Sequence, residues 1–266
     1  MKTKARFLFY CASSVTVGLC FGLIVHVNNG HRSVVADPLR GRDIMVVEKG
    51  DTRQQQRQPS ATEFVISHYK EKLDWLKPIA KDCHVYDKGH GKSLKPSFPV
   101  KQWEELPNVG RESHTYLYHI IKYYESLADV TVFLPDELAD YTPEFCFPAP
   151  TDFLEKAREG IPCLVYSTHE NWGSIKHIDQ WKLEYDQGLM RHAKNATLGE
   201  FYQTVFGRAP PQAVDCCLAG CFSATRRCLQ KHPKKFYQKL ISFLDDHSNP
   251  EEGHYLNRLW HAVVAC

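Results

Sequence analysis

The chain has 266 residues, of which 43% are hydrophobic, and a formal net charge of +2. This suits one packed domain with extensions, or two at most, while so little excess charge, scattered rather than striped, excludes a nucleic-acid-binding surface. None of the 10 cysteines forms a Cys-x-x-Cys pair, which argues against zinc-ribbon and thioredoxin-type sites.

At the N-terminus "MKTKAR" is basic and is followed by 21 residues, 7–27, without a formal charge. A bilayer span needs about 20 such residues, whereas the apolar part of a cleaved signal is shorter. The positive flank predicts a type II signal anchor, with residues 1–6 cytoplasmic, 7–27 in the membrane and the remainder lumenal, in the Golgi or another secretory-pathway membrane. The competing expectation is a cleaved signal and a secreted protein. Residues 28–60, with "DTRQQQRQPS", are too polar to form a core and read as a disordered stem. The folded domain is then 61–266.

Within it, "TEFVISHY" predicts a strand, "KEKLDWLKPIA" a short helix, and "CHVYDKGHG" a second strand with a glycine turn. "LPNVGRESHTYLYH" opens a helix that runs to about Leu127. "VTVFLP" is a strand stopped by Pro135, and "IPCLVYS" is another strand candidate. Two or three helices follow in the C-terminal third. "NPEEG" starts the last, with Asn249 as N-cap and Pro250 at the first helical position. Strands alternating with helices predict a single α/β layered domain.

Several familiar sites are absent. "DKGHGKS" lacks the first glycine of a phosphate-binding loop, because Tyr86 stands there. "STHENWGS" has Gly173 where a zinc protease needs histidine. No Gly-x-Ser-x-Gly occurs, so a nucleophile-elbow hydrolase has no support.

What remains centres on Gly110 and Arg111. A cation in the first helical turn opposes the helix dipole, but an anion there would be held by backbone N–H groups and by the guanidinium together. Along the same helix Leu117, Ile120, Ile121, Tyr124 and Leu127 share a core face. Glu112, Tyr116, His119 and Tyr123 form a second stripe, which reads either as a pocket wall or as packing beneath another element. Asp136 and Glu137 follow a strand directly, where α/β sheets place ligands. Asp245, Asp246, Glu251 and Glu252 flank the entry to the last helix, as caps or as a catalytic pair. Eight cysteines follow the apolar stretch, an even set suited to disulfides in an oxidising lumen, with connectivity open. "NAT" makes Asn195 the one N-glycosylation acceptor.

The segment "LPNVGRESHTYLYHIIKYYESLADVTVFL", with "FVISHYKEKLDWL" and "VYDKG" upstream and "CFSATRRCLQKHPKKFYQKLISFL" and "NPEEGHYLNRLWHAV" downstream, resembles a eukaryotic family known only as a domain of unknown function. More distantly it is similar to glycosyltransferases with a nucleotide-sugar-binding α/β sandwich. That resemblance implies a mostly parallel central sheet of glycosyltransferase-A type, a nucleotide-sugar donor, and a glycan or protein acceptor hydroxyl. It implies substrate binding by Asn108, Gly110, Arg111, Glu112, Tyr116 and His119, Mn²⁺ or Mg²⁺ at Asp136 and Glu137, and a base at Glu251 or Glu252. The chain departs from the pattern in having no Asp-x-Asp, and in carrying Asn257 where an acid is expected. The alternative is therefore a non-catalytic lumenal domain that binds a glycan or a protein.

Overall fold

A computed structural model describes residues 62–91, 95–137, 145–165 and 167–266. The expected tail, membrane span and stem lie outside the described residues. Among those described, no helix is long and apolar enough to cross a bilayer.

Strand β1 (Thr62–His68) lies at the heart of a five-stranded sheet, hydrogen-bonded to β2 (Cys83–Asp87) on one side and β4 (Val130–Pro135) on the other. β2 carries β3 (Gln102–Glu105) on its outer edge, and β4 carries β7 (Phe222–Thr225). β3, β2, β1 and β4 run parallel; β7 is antiparallel. The expected mostly parallel α/β sheet is thus present. Its central strands are buried on both faces, hence their nearly continuous apolar sequences. Alternation still assigns the faces: Val65, Tyr86 and Phe133 enter one core, and Phe64, Ile66, Val85, Val132 and Leu134 enter the other.

The chain steps outward from β1 to β2 to β3. It then returns through helix α1 (Arg111–Lys122) to β4, on the opposite side of β1. The strand order therefore reverses between β1 and β4, and that reversal opens a crevice beyond the strands' carboxyl ends. Ser67 pairs with Pro135 in register, so the next residues, His68 and Asp136, emerge side by side. Of the helix predicted in "KEKLDWLKPIA", only 3₁₀ turns at Asp74–Leu76 and Ala80–Asp82 form, because Pro78 cannot continue a helix.

Helix α1 packs on β1 and is covered in turn by α6 (Lys234–Ile241) and α7 (Glu251–Val264). Packed between the sheet and these helices, it buries Leu117 and Ile120 of one stripe and Tyr116 and His119 of the other, while Glu112 and Tyr123 stay half-buried. The remaining elements are α2 (Asp152–Arg158), α3 (Asp179–Asp186), α4 (Leu198–Phe206), the short α5 (Arg226–Leu229), and a hairpin-like pair β5 (Ser167–His169) and β6 (Val214–Cys216). The strand expected in "IPCLVYS" reaches the ladder only at Ser167. Upstream, the Pro162 carbonyl accepts from the Ser223 N–H, and Cys163 is bridged to Cys217. Two further disulfides, Cys146–Cys221 and Cys228–Cys266, leave Cys83 as a buried thiol.

Candidate functional site

A cleft of about 490 Å³ occupies the crevice between the ends of β1 and β4. His68 and Asp136 form its floor. The start of α1 supplies Asn108, Arg111 and Glu112, α3 supplies Trp181 and Glu184, and the approach to α7 supplies Ser248 and Asn249.

Arg111 is held in place by its backbone. Gly110 and Arg111 both adopt left-handed conformations, φ +61° and +52°, which costs energy for arginine and is tolerated where surrounding contacts enforce it. Three donors do so, through four hydrogen bonds. The Gly110 N–H donates to the His247 carbonyl (2.8 Å), the Arg111 N–H to the Ser248 carbonyl (3.2 Å), and the Lys88 ammonium to the carbonyls of Val109 and Arg111. Lys88 is almost fully buried, and that burial, reinforced by the nearby Arg111 charge, lowers its pKa to about 7. The Arg111 guanidinium lies 4.1 Å from the centre of the Trp181 ring, a stacking that fixes its plane. Its Nε is 3.4 Å from the Glu112 carboxylate.

These contacts correct one expectation. Gly110 does not open the backbone to a ligand, because its N–H and that of Arg111 already serve carbonyls. A side chain at position 110 would meet Leu244 Cβ and O at 2.6 Å. The glycine is needed for close packing, and only the guanidinium half of the anion cradle stands.

Across the cleft, Asp136 Oδ2 accepts from the Tyr69 N–H (2.6 Å) and lies 3.4 Å from His68 Nδ1. Trp75 Nε1 donates to the Asp136 carbonyl at 2.8 Å. Glu71 joins them, so that one donor atom from each of His68, Glu71 and Asp136 lies within 4.8 Å of the others. Burial raises the Asp136 pKa, but His68, Glu71 and the Tyr69 N–H outweigh it and hold the carboxyl below its ordinary value. The hydrogen bond to Asp136 raises that of Glu71. Two carboxylates this close need a shared proton or a cation. Both ring nitrogens of His68 are buried without a hydrogen-bond partner. An orphaned imidazole beside two carboxylates fits a divalent cation, and the imidazole nitrogen favours a transition-metal ion such as Mn²⁺ over Mg²⁺, which takes oxygen ligands. Glu137 is not among the residues lining the cleft.

The remaining expected residues lie elsewhere. Tyr116 is buried in the core against Phe133, Phe222 and Trp260. His119 is buried with its Nδ1 3.0 Å from the Tyr86 hydroxyl. At these two residues the stripe is packing, whereas Glu112 at its start lines the cleft. Glu251 and Glu252 do not reach the cleft. Glu251 accepts from His177 Nε2 (3.0 Å) and the Ala193 N–H (2.9 Å), while Glu252 pairs with Arg191 (3.0 Å) and accepts from the Lys194 N–H (2.8 Å). Together they fasten the 191–194 segment to the start of α7. Asn249 is not that helix's cap, which is Pro250; its amide bridges Glu184 (2.8 Å) and His254 (3.1 Å). Asn195 is half-buried, and its Nδ2, the atom a glycan would occupy, donates to Thr204 at 3.2 Å.

His68, Glu71, Lys88 and Trp181 carry no motif that points to them, whereas Glu184 belongs to "EYD", the nearest substitute in the chain for an Asp-x-Asp, and does line the cleft. His68 stands at a strand's carboxyl end just as Asp136 does, so the same positional rule could have found it. Trp181 sits on a short polar helix, and no local pattern points to it.

No family model, no curated protein and no solved structure matches this chain.

Proposed function

We propose that the protein is a glycosyltransferase-like enzyme, membrane-anchored in the secretory pathway, that moves a sugar from a nucleotide-sugar donor to a hydroxyl of a glycan or protein. The observation that supports this most directly is the pairing, in one switch-point cleft, of a stacked arginine with the His68, Glu71 and Asp136 cluster. Among the described residues, four acidic and two basic side chains line the cleft with His68. So negative a site admits a diphosphate only if a cation enters with it.

In this reading Arg111 binds the donor diphosphate through paired N–H groups, and Trp181 keeps that guanidinium oriented. His68, Asp136 and Glu71 are the residues that would hold Mn²⁺ or Mg²⁺, and such an ion would supply positive charge for a diphosphate leaving group. With Glu251 and Glu252 committed to the fold, the acceptor's proton goes to Glu112. Its side chain lies over Gly220, where an added Cβ would come within 2.9 Å of Glu112 Cγ. Glu184 is already engaged by Gln180 and Asn249 (2.8 Å each).

The test is thermal denaturation of the purified protein against a panel of nucleotide sugars with and without Mn²⁺. Stabilisation is expected only with both present, lost in Arg111→Ala, and retained in Glu112→Gln while transfer or donor hydrolysis disappears. If no nucleotide sugar shifts the transition in either condition, the donor site does not exist.

A further inference from the structure

We propose that a second cavity, between β5, β6 and α7, is a binding site for a phosphate or sulfate group, with Arg258 as its charged anchor. The cavity holds about 260 Å³ and is lined by Arg258, Lys176, His169, Asn171 and Cys216 among others, with no acidic side chain among the described residues of its wall. It shares no residue with the cleft, so the inference does not depend on the reading given to that site.

The inference starts from an uncompensated charge. A guanidinium stays protonated and presents five N–H donors. Arg258 uses Nη1 on the His254 carbonyl one turn back in its own helix (2.8 Å), and among the described residues no carboxylate pairs with it. The acid nearest in sequence on β6, Asp215, is engaged elsewhere: it accepts from Thr168 (3.2 Å) and lies 3.9 Å from His261. The side chain is half-buried at the cavity wall, and burial depresses its pKa while Cys216 and Tyr255 offset that only in part. Charges in that position are ordinarily paired.

The rest of the wall points the same way. Lys176 is an exposed second cation at the cavity. His169 has its Nε2 engaged by the Asn171 carbonyl, and burial, reinforced by the Arg258 charge, lowers its pKa. An anion in the cavity would relieve each of these at once. A tetrahedral oxyanion matches a guanidinium fork, and Lys176 adds a point charge beside it. The group could arrive as the free ion or as an ester on a sugar; the chemistry recognised is the same.

The experiment is a titration of the full-length protein with inorganic phosphate and with sulfate, read by thermal denaturation at constant ionic strength against chloride. Parallel arms use a sugar 6-sulfate and the unmodified sugar. Saturable stabilisation is expected from the oxyanions and not from chloride. Lys176→Ala, a surface change, and Arg258→Gln should each weaken it by about tenfold or more, the scale of one charge-assisted contact. Arg111→Ala should leave it unchanged. Tighter binding of the sugar sulfate than of free sulfate identifies an ester as the occupant, and equal binding identifies the free ion. Arg258→Gln should also be at least as stable as the parent in oxyanion-free buffer, since it removes a charge that lacks a partner. The proposal is overturned if phosphate and sulfate act no differently from chloride. It is equally overturned if their effect survives in Arg258→Gln or vanishes in Arg111→Ala.

Discussion

The two ends of β1 carry the same kinds of side chain and use them differently. At the amino end, Glu63 is 2.9 Å from Lys101, 3.5 Å from His119 and 3.7 Å from His84. His84 leads on to Glu104, which meets Lys122 (2.8 Å) and the Tyr118 hydroxyl (2.9 Å). Each carboxylate there has a lysine. At the carboxyl end, Glu71 and Asp136 face His68, and among the described residues neither pairs with a lysine or arginine. Burial raises the Glu63 pKa, yet its histidine and lysine partners together lower it well below the carboxylate range. A web that supplies its own counter-charges has no need of a ligand. At the point where the strand order reverses, the two carboxylates have only an imidazole beside them, and the hydrogen bond between them raises the Glu71 pKa.

That contrast can be broken by mutation. The largest effect is expected at the closed end. Glu63→Ala strands a buried imidazole pair and should cost roughly 3–5 kcal/mol in urea unfolding, the scale for removing one partner of a buried pair. A loss near zero would mean that the web is ornamental.

Next comes the base buried beneath the cleft. Burial, with help from the Lys88 charge, lowers the His114 pKa from 6.5 to about 4. Between those values the unfolded chain binds more protons than the folded one. The contribution is therefore fully present above about pH 6.5 and is lost as pH falls toward about 4. On the order of 3 kcal/mol rides on this group, and His114→Gln should flatten the acid limb of the stability profile by that amount. Parallel limbs for parent and variant would remove His114 from the account.

The smallest effect belongs to the open end. Asp136→Asn should change stability by no more than roughly 1 kcal/mol without metal, because it relieves a carboxylate pair as it removes a contact. It should also abolish any stabilisation by Mn²⁺. A severe loss in metal-free buffer would place Asp136 with Glu63 as a structural group.

Part of this was legible in the sequence. The apolar runs that become β1, β2 and β4, and the turn into α1, are local patterns, and the rule that ligands sit at strand ends found Asp136. Arg111 was legible as a cation at the wrong end of a helix, though its left-handed backbone was not. The failures are non-local. Joining Glu71 to Asp136 requires knowing that β1 and β4 are neighbours. Whether the Tyr116 and His119 stripe faces a pocket depends on Tyr86, Phe133 and Phe222 of the sheet and Trp260 of α7 meeting it, and periodicity along α1 cannot reveal that. Glu251 and Glu252 read equally well as a base pair or as fasteners, until Arg191 and His177 arrive from elsewhere in the chain to claim them.

The disulfides give the molecule an uneven resistance to opening. Cys146–Cys221, Cys163–Cys217 and Cys228–Cys266 all attach to the region from the β6–β7 connection onward, while β1, β2 and β3 are held without a covalent tie. Sub-global fluctuations should therefore begin on the parallel side, where nothing survives to guide reclosure except packing. Cys83 sits in β2 on that side, fully buried, its thiol directed to the Ile79 carbonyl at 3.3 Å and its pKa raised by burial to about 12. A thiol so placed is inert in the closed protein and reactive only on release. The chain thus carries a built-in clock for the breathing of the sheet that forms the cleft.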